Sequence, residues 1–183
     1  VPLGENWSGI NKRFILPQEQ LCQTYLMLID DVKALFYFSY PFTHQATFEV
    51  LATLAKQMQT LGPACAAPDV PQTITYGPGK IENAGGAPDY ENRRYPDVLA
   101  KLFSNTHGGF ILLAANSKNY PVDVEYQISL LGKSGKVSRL FADDTYPVQE
   151  GKFKDKLESY GVRAYEIRSQ ESEVRSQNES KIE

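Results

Sequence analysis

The chain has 183 residues, 42% of them hydrophobic, and its 19 basic and 22 acidic residues give a formal net charge of -3. This length and composition are typical of a globular protein with one large domain or two small ones. Because the charges are mixed along the chain and no apolar run approaches the roughly 18 residues of a membrane span, the sequence indicates neither a nucleic-acid partner nor a membrane partner.

Residues 17 to 40 read as a helix followed by a buried strand. Leucines, a tyrosine and an isoleucine recur at helical spacing between Pro17 and Asp30, and Pro17 occupies the favoured first position of a helix. The run from Val32 to Tyr40 has apolar residues at both odd and even positions and ends at Pro41. Such a run is typical of a strand that is covered on both faces.

A second helical pattern follows directly. Apolar residues repeat with the helical period between Phe48 and Leu61, the members of the apolar face being Phe48, Leu51, Ala52, Ala55 and Met58. Gly62 and Pro63 are expected to stop this helix, and residues 62–71, with three prolines, are expected to form a linker. The predicted divisions of the chain are therefore residues 1–69, 70–168 and 169–183.

The middle region has the clearest β signal. Apolar residues alternate without a break with polar ones from Val122 to Leu130, which predicts a strand with one face on a core and one in water. Six to eight strands separated by turns are expected here, forming an antiparallel β-sandwich, at 72–76, 97–104, 109–115, 122–130, 136–142, 151–157 and 161–167. Residues 77–96 are a long loop, and 169–183 have the composition of a disordered tail.

The two cysteines, Cys22 and Cys65, are too few for a disulfide framework. Two buried thiols are the main expectation, and a single bridge between them is the alternative. Neither His44 nor His107 has a second ligand at metal-binding spacing, so the sequence predicts no metal centre and no cofactor.

The order of elements resembles part of a known family. The segment Gln18-Glu-Gln-Leu-Cys-Gln-Thr-Tyr-Leu-Met-Leu-Ile29 is similar to the seventh helix of a (β/α)8-barrel glycoside hydrolase, and Lys33 to Tyr40 to its eighth strand. Residues 109–116 and 160–167 resemble the C-terminal sandwich common in such enzymes of the beta-galactosidase-like clan. The resemblance implies an α+β chain, the terminal helix-strand-helix piece of a TIM-type barrel followed by an antiparallel β-sandwich.

The resemblance places the catalytic carboxylates upstream of Val1, and no catalytic residue is predicted in the chain. Glu5 is the single carboxylate near the position of a nucleophile, and a solvated loop residue is the simpler interpretation. Barrel active sites lie at the C-terminal ends of the strands. The resemblance therefore implies sugar contacts from Trp7, Ser39, Tyr40 and His44.

Two functions follow from these patterns. The first is the C-terminal portion of a glycoside hydrolase, with an accessory sandwich and no catalytic activity by itself. The second is a non-catalytic carbohydrate-binding module that uses exposed rings such as Tyr90, Tyr95, Tyr120 or Tyr146. In the first case the helices would leave apolar surface uncovered, so the chain would self-associate or pack on a missing barrel portion. The family resemblance is compatible with an extracellular or periplasmic location.

Overall fold

The computed structural model describes residues 15–35, 45–68, 70, 74–77, 97–106, 108–129, 131–132 and 134–168. These residues form two helices followed by eight strands. The elements are α1 Pro17–Ile29, α2 Gln45–Ala66, β1 Ile74–Gly77, β2 Val98–Ser104, β3 Phe110–Asn116, β4 Val122–Ile128, β5 Ser134–Arg139, β6 Thr145–Gln149, β7 Lys152–Leu157 and β8 Val162–Ile167. Among the described residues, neither helix is long and apolar enough to cross a bilayer.

Helix α1 confirms the prediction made from its apolar spacing. Pro17 stands at the first helical position, and the backbone N–H of Leu16 donates to Oε2 of Glu19 at 2.9 Å. This bond satisfies a backbone donor that the first turn would otherwise leave unpaired. The helix ends where Asp31 takes a positive φ of 71°, a conformation that a helix cannot continue through.

The predicted strand from Val32 is wrong in its described part. Residues 32–35 have no regular secondary structure, and the N–H of Val32 still bonds to the carbonyl of Met27 at 2.9 Å. The Nζ of Lys33 contacts both the Asp31 carboxylate and the carbonyl of Cys65, each at 2.6 Å. These bonds tie the segment to the ends of the two helices. Residues 36–44 lie outside the described part of the chain.

Helix α2 continues past the predicted stop at Gly62 and Pro63 and ends at Ala66. Pro63 is exposed, while Leu61, Ala64 and Cys65 in the same turns are buried. A proline removes one helical hydrogen bond. The apolar burial on either side of Pro63 holds the helix together despite this loss.

The eight strands form one antiparallel sheet in the order β1-β4-β7-β6-β5-β8-β3-β2. Strands β6 and β7 are paired at Gln149 and Lys152 next to their tight turn, so the sheet divides there into two layers. The edge strands β1 and β2 also lie in contact. The result is a nearly closed sandwich, which confirms the antiparallel β architecture predicted from the sequence.

The interior of the sandwich is formed by the alternate residues of each strand that point inward. On β4 these residues are Val122, Val124, Tyr126 and Ile128, whose alternation with exposed or half-buried polar residues is as predicted. The strand stops at Ile128 instead of Leu130. The sequence pattern does not predict strand β6. Strand β5 ends at Arg139 rather than Ala142, because Leu140 and Phe141 belong to a turn, with Phe141 at φ 65°.

A second hydrophobic core joins the helices to the outer face of β2, β3 and β8. Ile111, Leu113 and Ala115 on β3 pack against α1 and α2, while Leu112 and Ala114 point into the sandwich. Strand β3 is therefore buried on both faces. Cys22 and Cys65 are free buried thiols of this second core, as expected.

Candidate functional site

The residues predicted to contact sugar lie outside the described part of the chain. This holds for Trp7, Ser39, Tyr40 and His44, and also for Glu5. Their roles remain predictions. Two of the tyrosines considered for a binding module, Tyr90 and Tyr95, also lie outside it, as does the predicted tail 169–183, whereas Tyr120 and Tyr146 are described.

An ion cluster stands at the end of α1, next to the segment that leads to Ser39 and Tyr40. The Asp31 carboxylate contacts Lys33 Nζ at 2.6 Å and Lys101 Nζ at 3.1 Å. Hydrogen bonds from Lys33 and then Lys101 hold the pKa of Asp31 below its ordinary value. Since Lys33 also bonds to the Cys65 carbonyl, the cluster connects the C-terminal ends of α1 and α2 with strand β2.

Helix α2 carries apolar residues on two faces. Leu54 and Leu61 are buried in the second core, whereas Phe48, Ala52 and Ala55 are exposed along the opposite side at spacings of four and three residues. We call these three residues the α2 outer stripe. Phe48 is 55% exposed, the largest fraction among the large hydrophobic residues in the described part of the chain. The stripe is apolar helix surface that the sandwich does not cover.

A polar cluster inside the sandwich joins the two layers. Asp155 on β7 and Arg163 on β8 form an ion pair at 3.1 Å, and their side chains are 10% and 14% exposed. The Tyr165 hydroxyl donates to the same carboxylate oxygen at 2.7 Å. The guanidinium also donates to the carbonyls of Val162 and Lys156. Each charged group is therefore paired, as burial requires.

Aromatic rings pack around this polar cluster. Tyr165 makes edge-to-face contacts with Phe153, Tyr126 and Tyr146, at centroid distances of 5.1, 5.6 and 5.6 Å. Burial is the main cause that raises the pKa of Tyr165 and Tyr126 above the ordinary range. The sequence contained a signal for the cluster, since Asp155 and Arg163 occupy inward positions of alternating strands.

The outer face of β4 and β7 is a charged surface. Glu125 lies between Lys152 and Lys154, with N–O distances of 3.4 and 3.3 Å. Hydrogen bonds from Lys154 and then Lys152 lower the pKa of Glu125. The outward residues of these two strands include no aromatic ring, so this face offers no stacking surface. In the described part of the chain, no group of three or more His, Cys, Asp or Glu residues could hold a metal ion.

The fold belongs to a class that also occurs within glycoside hydrolases: helices packed on one side of a nearly closed antiparallel sandwich. One similar structure is a Bacillus halodurans C-125 protein whose α-N-acetylgalactosaminidase activity is inferred, with a TM-score of 0.56, 13% identity, and coverage of 91% of this chain and 36% of that chain. Another is the GH27 β-L-arabinopyranosidase from Geobacillus stearothermophilus, with a TM-score of 0.53, 10% identity, and coverage of 90% and 33%.

These likenesses concern the fold. The chain spans about a third of the length of the two structures, with 36% and 33% of them covered. No protein-family model matches the sequence, and no curated protein matches it either. About nine-tenths of this chain is covered, 91% and 90% respectively, so the likeness extends beyond the sandwich to at least part of the helices.

Proposed function

We propose that this chain is the C-terminal portion of a glycoside hydrolase. In this proposal the sandwich is an accessory domain, and the two helices belong to the end of a (β/α)8 barrel. The catalytic carboxylates lie in the preceding part of the enzyme, and the chain has no hydrolytic activity by itself. Trp7, Ser39, Tyr40 and His44 would then contact sugar at the rim of the barrel.

The packing of the helices on the sandwich carries this proposal. A free-standing carbohydrate-binding sandwich keeps its outer faces in water, and its strands then alternate between apolar and polar residues. Here the outer face of β2, β3 and β8 forms a second core with α1 and α2. The likeness to the two glycoside hydrolase structures supports the proposal, because it covers about nine-tenths of this chain, 91% and 90%, and so extends beyond the sandwich.

The α2 outer stripe supports a partner that continues the barrel. Adjacent helices of a barrel pack against one another around the outside of the parallel sheet, so each helix buries more than one face. Phe48 and the two alanines give α2 a second apolar face, on the opposite side of the helix from the face that the sandwich covers. The occupant that we propose is the preceding part of the barrel, and in its absence a second copy of the chain.

Analytical ultracentrifugation over a wide range of protein concentration tests this proposal. The chain is expected to self-associate, and Phe48→Glu is expected to shift it towards monomer because a charge in the stripe cannot be buried without a partner. Phe141→Asp is the matched control, since Phe141 is 47% exposed in a turn of the sandwich. A chain that stays monomeric at every concentration would contradict the proposal.

A hydrolysis assay with a panel of aryl glycosides tests the catalytic part. No turnover is expected from the chain alone. Turnover that disappears in Glu5→Gln would place a catalytic carboxylate in this chain and overturn that part of the proposal.

A further inference from the structure

An exposed tyrosine stands on a well-fixed loop at one end of the sandwich. Residues 117–121 connect β3 to β4, and Tyr120 in this loop is 47% exposed. Its hydroxyl donates to Oδ2 of Asp97 at 3.2 Å, just before strand β2. The hydroxyl end of the ring is therefore held against a neighbouring element while much of the ring stays accessible.

A buried asparagine fixes the backbone that carries this ring. The Nδ2 of Asn116 donates to the carbonyls of Tyr120 at 2.7 Å and Glu158 at 3.0 Å, and its Oδ1 accepts from the N–H of Lys118 at 2.9 Å. The Ser117 N–H also donates to the carbonyl of Asp97 at 2.8 Å. A buried, fully used amide of this kind holds a loop in one conformation, which lowers the entropy cost of binding.

Polar groups of both kinds belong to the segments that carry or contact Tyr120. The Asp97 carboxylate lies 3.7 Å from the Lys118 ammonium, and the amide side chain of Asn119, next to Tyr120, is exposed. Asp97 and Lys118 carry opposite charges and lie close enough to offset each other. This surface combines an apolar ring face with hydrogen-bond donors and acceptors, the two features that a neutral pyranose requires.

We propose that Tyr120, with Asp97 and Asn119, forms a contact site for a neutral polysaccharide on the sandwich. The ring stacks on the C–H face of a pyranose. The Asp97 carboxylate accepts hydrogen bonds from the hydroxyl groups of the sugar, and the Asn119 amide both accepts and donates them. The choice of a saccharide as the ligand rests on the proposed function. This site lies on the sandwich and does not involve the residues predicted at the barrel rim.

Native affinity electrophoresis tests the site with two probes, galactomannan and dextran, each cast into a separate gel. The wild-type chain is expected to be retarded in at least one gel. Tyr120→Ala is expected to weaken the retardation at least roughly tenfold in apparent dissociation constant, as truncation of an aromatic anchor does. Tyr120→Phe should retain most of it, and Asp97→Asn should lose part of it.

Phe141→Asn is the matched control, because it removes a ring of equal exposure and asparagine tolerates the positive φ at that position. It should be retarded like the wild type. The proposal is overturned if neither polysaccharide retards the chain, or if Tyr120→Ala and Asp97→Asn are both retarded as strongly as the wild type. Thermal unfolding of each variant shows whether it is folded.

The outcome is separable from that of the proposed function. A chain that is retarded through Tyr120 but sediments as a monomer would support this site and contradict the barrel proposal. A chain that self-associates through the α2 outer stripe but is not retarded would do the reverse.

Discussion

Truncation of a single leucine on β3 probes whether the helices and the sandwich are one folded unit. Leu113 is fully buried, at 0% exposure, between β3 and the helices. Its neighbour Leu112 is equally buried but points into the sandwich. Both residues are leucines on the same strand, and they differ only in the core that they occupy.

Leu113→Ala removes buried apolar groups and leaves a cavity, which costs about 2–5 kcal/mol in free energy of unfolding. For a chain of this size each kcal/mol corresponds to about 2–4 °C in the unfolding midpoint. If α1 and α2 did not pack on this face, Leu113 would be a surface residue, and its truncation would change stability by about 0.5 kcal/mol or less.

Urea denaturation followed by far-ultraviolet circular dichroism measures both losses. Leu112→Ala is the control and should also cost about 2–5 kcal/mol, because it opens a cavity in the sandwich interior. We predict comparable losses for the two variants. A Leu113→Ala chain as stable as the wild type, alongside a destabilised Leu112→Ala chain, would refute the second core and with it the argument from helix packing.

Three further predictions concern the sandwich and its titrating groups. Tyr165→Phe should lower the free energy of unfolding by about 1.5–3 kcal/mol in urea titrations, because the Asp155 carboxylate loses a buried donor. Gly109→Ala should be far more destabilising than Gly108→Ala in thermal melts, because both glycines have positive φ but a Cβ at Gly109 would collide with the backbone of β8. Burial raises the pKa of the Cys22 thiol from 9.0 to about 12, so the unfolded chain releases this proton first, and stability that is complete below about pH 9 should fall towards pH 12.

Each of these predictions has an outcome that contradicts it. Equal stability of Tyr165→Phe and wild type would mean that the hydroxyl contributes nothing to the link between the layers. Equal melts for Gly108→Ala and Gly109→Ala would show that the close approach at Gly109 does not exist. For the pH prediction, the raised pKa of Tyr165 adds to the loss of folding stability at alkaline pH. Each group contributes a loss of about 1.4 kcal/mol per pH unit. Stability that does not depend on pH from 9 to 11 would show that the pKa of neither the Cys22 thiol nor the Tyr165 hydroxyl is raised in the folded chain.

Local patterns were sufficient for several elements. Pro17 and the helical spacing after it predicted α1 almost to the residue, and the strict alternation in β4 predicted both its strand character and its inward face. Each of these segments keeps a single hydrophobic period along its whole length, helical in α1 and alternating in β4. The secondary structure that the period favours is the one that the fold requires there.

Other elements depended on contacts that no local pattern contains. Gly62 and Pro63 predict a helix end, but the second core buries residues on both sides of Pro63 and the helix continues to Ala66. Strand β6 contains Pro147 and buries only Val148 completely, so its apolar signal is weak and its pairing with β5 defines it. Strand β3 is covered on both faces, as was predicted for the segment after Val32, whereas residues 32–35 form no strand and Lys33 bonds to Asp31 and Cys65.

The candidate sites divide in the same way. The alternation along β7 and β8 is enough to predict that Asp155 and Arg163 point inward. It does not predict that they pair across the sandwich, because β7 and β8 are not neighbours in the sheet. Tyr120 is among the rings predicted to be exposed, and it is 47% exposed in the structure. Its support by Asn116 depends on a turn more than 40 residues away in sequence, at Glu158, with a separation of 42.

The coding sequence that precedes Val1 tests the central claim most directly. If the chain is the C-terminal portion of a glycoside hydrolase, sequencing of the gene on its 5′ side should reveal about six or seven in-frame βα repeats, with the two catalytic carboxylates among them. A start codon directly before this chain, or an upstream domain without that repeat, would contradict the account.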